Sequence, residues 1–372
     1  MAGSLFIGLM SGTSLDGVDV ALVDFKTQHP QVIATHFLAY SAELRTQILA
    51  LQHPTANELE VTCQISNQLA RLYAEAVNAL LEINQISAES ITAIGCHGQT
   101  IRHRPELGFT LQIGNNALLA ELTNITVVGD FRSRDIAAGG QGAPLVPAFH
   151  QAIFAHPQKN RMIVNIGGIA NITFLAKTGE GCDSGKVLGF DSGPGNMLID
   201  AWTKLRHGKN YDANGAWAAT GVVLDSLLFD MLAEPYFALP PPKSTGRDLF
   251  NDNWLKQHLL YPHLRSQDVA RTLVELTAQT IVDAILKTCH TVDEVYLCGG
   301  GAHNALLVEC LKTKLASNIS LANTDTLGVG VDWLEAVAFA WLAQQTLAGK
   351  TSNLPEVTGA AGARILGAIY PH

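Results

Sequence analysis

The residues best suited to chemistry fall in four short stations. Gly12-Thr13-Ser14-Leu15-Asp16-Gly17 brings two hydroxyls, a carboxylate and flexible backbone into one turn, and Val18 and Asp19 continue it. Such a turn can present N–H groups to the β- and γ-phosphates of a nucleotide. Asp16 can hold Mg2+ there, usually through water. A plain hairpin turn has the same composition. The second station is Asn165-Ile166-Gly167-Gly168-Ile169-Ala170-Asn171. Gly167 and Gly168 either admit a ligand close to the backbone or simply close a tight hairpin. The third, Gly299-Gly300-Gly301, follows an apolar strand and precedes a helix. Three glycines at a strand's C-terminal end leave a flat surface for a base or ribose. The fourth is Asp191, which closes an apolar strand before Ser192-Gly193-Pro194-Gly195-Asn196. A carboxylate there can take a proton from water or a sugar hydroxyl, or it can cap the following helix. That helix N-terminus would favour anions.

Other side chains are candidates to touch a substrate. His97 and Gln99 end a strand and can reach sugar hydroxyls, or they serve structural hydrogen bonds. Asn171 ends the second station. Arg132 and Arg134 lie beside Asp130 and Asp135, which suits an ion-pair network as well as anion recognition. Glu335 opens a late helix, where it reaches Mg2+ or substrate, or stays solvated. Motifs of other phosphoryl-transfer folds are absent: there is no GxxxxGK[ST] loop and no HRD…DFG set. There is also no HExxH and no GxSxG around a suitable serine.

The elements that must position these stations are strands and helices in alternation. Residues 5–10 and 18–25 read as two strands around the first station, with a third over 31–40. Thr55-Ala56-Asn57-Glu58 fits a capping box, and Ile65, Leu69, Leu72, Ala76, Leu80 and Ile83 recur with helical period. Residues 91–96 and 109–113 read as strands, with a helix near 115–122. Residues 161–174 form a second strand–Gly–strand unit, and 186–190 a strand that delivers Asp191. Helices are expected over 197–205, 269–288, from about 304, and over 333–345, with a strand over 294–298. Each half thus opens on a β-hairpin and goes on in mixed strands and helices, an internal duplication of architecture. The hinge is placed at 144–147, where prolines interrupt the pattern. The late helix returns the chain to the first domain, and the predicted domains are 1–145 with 346–372, and 146–345.

Composition narrows the partners. The 372 residues exceed one ordinary core, and 47% of them are hydrophobic against 15% charged, as in a soluble two-domain protein. The net charge of −9 and the lack of a Lys/Arg cluster argue against nucleic acid. Six cysteines show neither CxxC spacing nor a zinc pattern, which fits reduced thiols in the cytoplasm. The N-terminus lacks a basic n-region, and no stretch is long enough to span a membrane.

Taken together the stations resemble the anhydro-N-acetylmuramic acid kinase family. The matching stretches are Met10-Ser11-Gly12-Thr13-Ser14-Leu15-Asp16-Gly17-Val18-Asp19, Cys96-His97-Gly98-Gln99-Thr100, Gly129-Asp130-Phe131-Arg132, Gly139-Gly140-Gln141-Gly142-Ala143-Pro144, residues 165–171 and 191–196, Lys243-Ser244-Thr245-Gly246-Arg247-Asp248, and residues 298–304. Departures are conservative: Asp248 stands where glutamate is also familiar, and Ser192 where threonine is. The resemblance implies an α/β fold of two actin-like, ribonuclease H-like domains with an interdomain cleft. It implies ATP and Mg2+ as cofactors, an amino-sugar substrate, and a possible homodimer. It also implies that water opens a 1,6-anhydro ring while the freed oxygen takes the γ-phosphoryl group, giving N-acetylmuramic acid 6-phosphate in cell-wall recycling. By the same resemblance Asp191 is the general base and residues 12–19 bind ATP; the functional reading of Arg132 and Arg134, beside the ion-pair network, is that one of them meets the lactyl carboxylate. An ordinary hexose or amino-sugar kinase and a nucleotide-switched interaction protein are the rival readings.

Overall fold

The computed structural model describes residues 3–12, 14–27, 29–54, 56–179, 185–259 and 263–372. Thr13, Thr55 and Cys182 lie outside the described residues. The chain divides into two units, Met1–Ile153 with Trp333–His372, and Phe154–Asp332.

The first unit is built on the strands β1 (Leu5–Met10), β2 (Gly17–Asp24), β3 (Gln31–Ala39), β4 (Ala93–Cys96) and β7 (Val127–Gly129). Between β4 and β7 lies a separate hairpin of β5 (Gln99–Arg104) and β6 (Phe109–Ile113). β1, β2 and β3 form an antiparallel meander, and β4 and β7 add in parallel on the other side of β1. The C-terminal strand Ala368–Tyr370 closes the far edge against β7. One face of the sheet is covered by the helix Glu58–Ile83, whose Ile65, Leu69, Tyr73, Val77 and Leu80 meet Ile7, Leu9, Val18 and Val20 in one core. The helix Leu334–Leu347 is apolar all round and buried along most of its length, as a helix enclosed by its unit must be. Its approach is close because β1 and β4 carry glycines. A Cβ on Gly8 would lie 1.7 Å from the Ala336 carbonyl oxygen, and one on Gly95 2.0 Å from that of Phe339.

The second unit repeats the plan. β8 (Arg161–Ile166), β9 (Ile169–Leu175) and β10 (Val187–Pro194) are antiparallel neighbours, and β11 (Glu294–Cys298) and β12 (Ser320–Asn323) add in parallel beyond β8. The order β10-β9-β8-β11-β12 matches β3-β2-β1-β4-β7 strand for strand. This duplicated mixed sheet is the actin-like α/β architecture. The helix Ser266–Thr288 buries Val269, Leu273, Leu276, Ile281 and Ile285 within this unit.

Two boundaries differ from the sequence reading. The helix Leu334–Leu347 belongs to the first unit, although 333–345 was assigned to the second, because its small residues seat it on Gly8 and Gly95. The prolines at 144–147 do not mark the boundary either. Val146 and Pro147 begin the helix Val146–Phe154, whose last residue is the first of the second unit. A proline in a first helical turn sacrifices no intrahelical hydrogen bond.

Candidate active site

In the first unit, the turn between β1 and β2 is held from beneath. Ser11 is buried and its hydroxyl bonds both Tyr40 and the Gln99 amide oxygen. Tyr40 in turn meets Tyr73, with 3.2 Å between their hydroxyls. Gln99 Nε2 donates to the Gly12 carbonyl at 3.2 Å, and His97 Nδ1 lies 3.1 Å from the Ser11 carbonyl. Burial pushes the Tyr40 phenol up to about 12, so it stays protonated. Gln99 is fully buried and committed to this network. It therefore braces the turn and is not free to meet a sugar, a correction to the sequence reading.

The turn itself splits into two roles. Leu15 and Val18 are core residues, and a Cβ on Gly17 would strike the Leu38 carbonyl oxygen at 2.4 Å. A Cβ built on Gly12 would meet nothing among the described residues closer than Ser14 Oγ at 3.7 Å and Met10 Cε at 3.9 Å, ordinary contact. Asp16 is exposed, and Ser14 Oγ donates to it at 2.6 Å. Asp19 lies on β2.

His97, Arg132 and Glu335 come together in the same unit. Arg132 donates to His97 Nε2 from Nη2 at 3.0 Å and to the Gly142 carbonyl from Nη1 at 2.8 Å. Burial, with Arg132 beside it, pulls the His97 imidazole down to about 3, so the ring is neutral and accepts from the guanidinium. Burial raises the Glu335 carboxyl, and the charge of Arg132 opposes that rise. Arg132 and Glu335 are thus mutual counter-charges. Asp135, by contrast, is fully buried and takes hydrogen bonds from Gly142 N–H, Asn353 and Thr358, a structural role. A polar cavity of about 250 Å³ opens beside His97, between Gln112, Asn116, Asp130 and Ser133.

In the second unit, Asp191 lies within β10 and not at its end, because the strand continues through a bulge to Pro194. It is no helix cap. The register sets Asp191 opposite Asn171 and Asn171 opposite Asn165, a polar row across three strands. Cross-strand partners share a face, so this row is a polar patch near the C-terminal end of β8. The segment 236–245 clamps Asp191 at three points. Tyr236 Oη donates to its carbonyl at 2.8 Å, its N–H donates to the Lys243 carbonyl at 3.1 Å, and Thr245 N–H donates to its Oδ2 at 3.0 Å. Burial pushes the Asp191 carboxyl up to about 6, against the pull of the Thr245 N–H and the Lys243 charge. The Thr245 hydroxyl is buried with no hydrogen-bond partner. Sequence reasoning missed Tyr236 and the clamping role of Lys243 and Thr245; the KSTGRD string was the available signal.

The glycines of this unit divide as well. Built Cβ atoms on Gly167, Gly168 and Gly300 meet nothing closer than 3.5 Å. On Gly301 a Cβ would overlap Ile166 Cγ2 at 2.2 Å, and on Gly299 it would lie 2.3 Å from Asn165 Oδ1. Gly299 and Gly301 therefore serve packing, and Gly300 carries the open face. The N–H groups leading into the helix Met197–His207 are not available to an anion as the sequence suggested. Gly195, Asn196 and Met197 donate to the Gly167 and Gly168 carbonyls at 2.8 to 3.1 Å. Gly300→Leu should therefore raise the KM for ATP at least tenfold with little change in melting temperature. Gly301→Leu should instead lower the melting temperature sharply, because overpacking costs about 1–3 kcal/mol. Thermal unfolding and ATP titrations on both variants check this; equal ATP kinetics in Gly300→Leu would remove the assignment.

The groups present fit a nucleotide held with Mg2+. The open glycines offer side-chain-free surface in each unit. Among the described residues no cluster of three or more His, Cys, Asp or Glu could hold a metal alone. Asp16, exposed beside Ser14 at the Gly12 turn, has the chemistry to take Mg2+ through its waters, as an ion held by phosphates and one or two carboxylates requires. Among the described residues no helix is long and apolar enough to cross a membrane.

The profile of the family described as anhydro-N-acetylmuramic acid kinase matches residues 4–372. A protein of that name from Nitrosospira multiformis is 52% identical over the whole of both chains. One from Nitrosomonas europaea is 53% identical over 98% of this chain and 99% of its own. Among solved structures, component A of the (R)-2-hydroxyglutaryl-CoA dehydratase of Acidaminococcus fermentans aligns over 92% of this chain and 99% of its own, with a TM-score of 0.48 and 13% identity.

Proposed function

The chain belongs to the anhydro-N-acetylmuramic acid kinase family, and from that premise we propose that it phosphorylates the 6-oxygen of 1,6-anhydro-N-acetylmuramic acid while opening the anhydro ring with water. The product is N-acetylmuramic acid 6-phosphate, and the setting is cytoplasmic recycling of cell-wall sugar. The observation that carries this reading is Asp191: a carboxylate clamped at three points, in a polar strand row, with its pKa raised to about 6.

When bound, ATP with Mg2+ supplies the γ-phosphoryl group and the charge neutralisation that phosphoryl transfer needs. In the first unit the Gly12 turn would receive phosphate oxygens and Asp16 the waters of Mg2+. Within the second unit, the open faces of Gly167, Gly168 and Gly300 would let a ligand come close to the backbone. Asp191 takes a proton from water as that water attacks the anomeric carbon. The bond from that carbon to the bridging oxygen would break, the oxygen's electron pair would form the new bond to the γ-phosphorus, and the bond from that phosphorus to the departing ADP oxygen would break. A base with a pKa just below neutrality is ionised at pH 7 and still strong enough to accept the proton. The unpartnered Thr245 hydroxyl, on the residue whose N–H fixes Oδ2, is suited to hold that water. Arg132 is suited to the lactyl carboxylate, with His97 and Glu335 keeping it in place.

ATP consumption that depends on added anhydro-sugar tests the reading. Turnover with an ordinary hexose but not with the anhydro-sugar would replace it by a plain sugar kinase. Turnover without any sugar would make the protein an ATPase.

The pH dependence follows from Asp191. The base works deprotonated, so kcat/KM should rise with pH through about 6 and level off above it. Lys243→Met removes a charge that favours the carboxylate, so the rising limb should move to higher pH. A limb that stays in place would show that Lys243 does not tune Asp191.

A further inference from the structure

A second cavity, of about 340 Å³, lies within the second unit on the opposite side of β10 from Asp191. Residues on a strand alternate between faces. Phe190, which precedes the bulge and so faces away from Asp191, lines this cavity, as does Ser192 at the bulge, and Asp191 does not. Its volume falls in the range of small-molecule sites. Leu232, Phe237, Leu239 and Ala284 make it largely apolar, and Lys243 and Lys287 supply charge.

The charged groups around it are not equivalent. Glu234 and Asp283 also line the cavity, but both already hold donors. Glu234 receives Trp254 Nε1 at 2.8 Å, and Asp283 receives Gln279 Nε2 at 2.8 Å. Among the described residues the two ammonium groups donate hydrogen bonds only to backbone carbonyls, and Lys243 also lies over the Tyr236 ring. Lys243 Nζ donates to Tyr236 at 3.0 Å, and Lys287 Nζ reaches Phe237 at 3.5 Å. An ammonium has three donors, so both retain capacity. Each also repels the other, which an anion between them would relieve.

The same wall touches the active carboxylate. Pro235, Phe237 and Lys243 border the cavity, and they lie in or beside the segment 236–245 that clamps Asp191. We propose that this cavity binds a small amphiphilic monocarboxylate, its apolar body among Phe190, Phe237 and Leu239 and its carboxylate on Lys243 and Lys287, and that the occupant modulates Asp191 through the 236–245 segment. The binding claim stands by itself; the modulation claim rests on the function proposed above.

The full-length protein, without nucleotide or sugar, is titrated calorimetrically with phenylacetate and with its neutral amide. Saturable single-site binding of phenylacetate is expected. The amide should bind about tenfold more weakly or worse, and Lys287→Ala should weaken phenylacetate by a similar factor, the effect of losing a charge-assisted hydrogen bond. Ala284→Phe, which fills the cavity from the helix, should abolish binding while sugar-dependent turnover continues. No saturable binding, or an unchanged affinity in Lys287→Ala, overturns the site. In turnover assays phenylacetate should move the acidic limb to higher pH in the parent protein and not in Ala284→Phe. Binding without that movement overturns the modulation. An absence of sugar-dependent turnover in untreated protein would count against the kinase reading and leave the binding result intact.

Discussion

Asp191→Asn is expected to abolish phosphorylation and ring opening together while ATP still binds. The two steps share one carboxylate. The bridging oxygen is a poor nucleophile toward phosphorus until its bond to the anomeric carbon loosens, and that bond loosens only as water enters. General-base catalysis contributes about 10²–10⁴-fold, and the loss should lie at the upper end because no second base is clamped into the polar row. In isotopically labelled water the parent protein should place the heavy oxygen on the anomeric carbon, read before exchange, and none in the transferred phosphate. Label in free phosphate with the ring intact would end the kinase reading. A ring opened at the normal rate by the variant would move the role elsewhere, to Glu335 first.

The same substitution has a stability consequence with a definite sign. Burial raises the Asp191 carboxyl from 3.8 to about 6. A group whose folded pKa is raised favours folding below its unfolded value, and that contribution is lost as pH rises through the folded value. Above about pH 6 the ionised Asp191 is therefore a cost to the fold. Asp191→Asn should melt no lower than the parent at pH 8, and its advantage should shrink toward pH 5. A variant that melts lower at every pH would mean that the clamp needs the charge.

The pattern of strands was legible because buried sheets leave strong signals. β1, β2, β8, β9 and β11 are apolar runs bounded by glycine or polar turns, and the repeated order of the two sheets follows from two hairpins of like design. The place of the helix Leu334–Leu347 was legible only in part: the chain's return to the first unit is read at this late helix, but its residues are counted with the second. Its all-round apolar surface gives no face, and its partners Gly8 and Gly95 lie far away in sequence. In the site, Asp191 was legible by residue type at the end of an apolar run, and the glycine stations by clustering. Which glycines face outward was not, since Gly300 and Gly301 differ only in what stands beside them. Gln99 fails for the same reason: its partners Ser11 and Gly12 are brought to it by folding. Tyr236, Lys243 and Thr245 act on Asp191 across about fifty residues of chain, and local pattern carries no trace of such pairing.

Arg132→Met should damage both the fold and the recognition of substrate, and the two losses can be separated. The guanidinium now satisfies His97 Nε2 and the Gly142 carbonyl and offsets the charge of Glu335. Without it, Glu335 loses the nearby positive charge, and His97 Nε2 and the Gly142 carbonyl lose their donor, each acceptor left unsatisfied costing about 1–3 kcal/mol. Glu335→Gln added to Arg132→Met should recover the share lost at Glu335, because the stranded charge is gone. Activity should not recover. If Arg132 meets the lactyl carboxylate, its loss raises the KM for the acid substrate about a hundredfold, as expected for a charge-assisted, two-pronged contact. It leaves the KM for the corresponding lactyl amide nearly unchanged. Chemical denaturation of the single and double variants reads the first effect, and paired kinetics on acid and amide read the second. Equal penalties on acid and amide would make Arg132 a support for His97 alone. Stability losses that simply add in the double variant would show that Arg132 and Glu335 are not counter-charges.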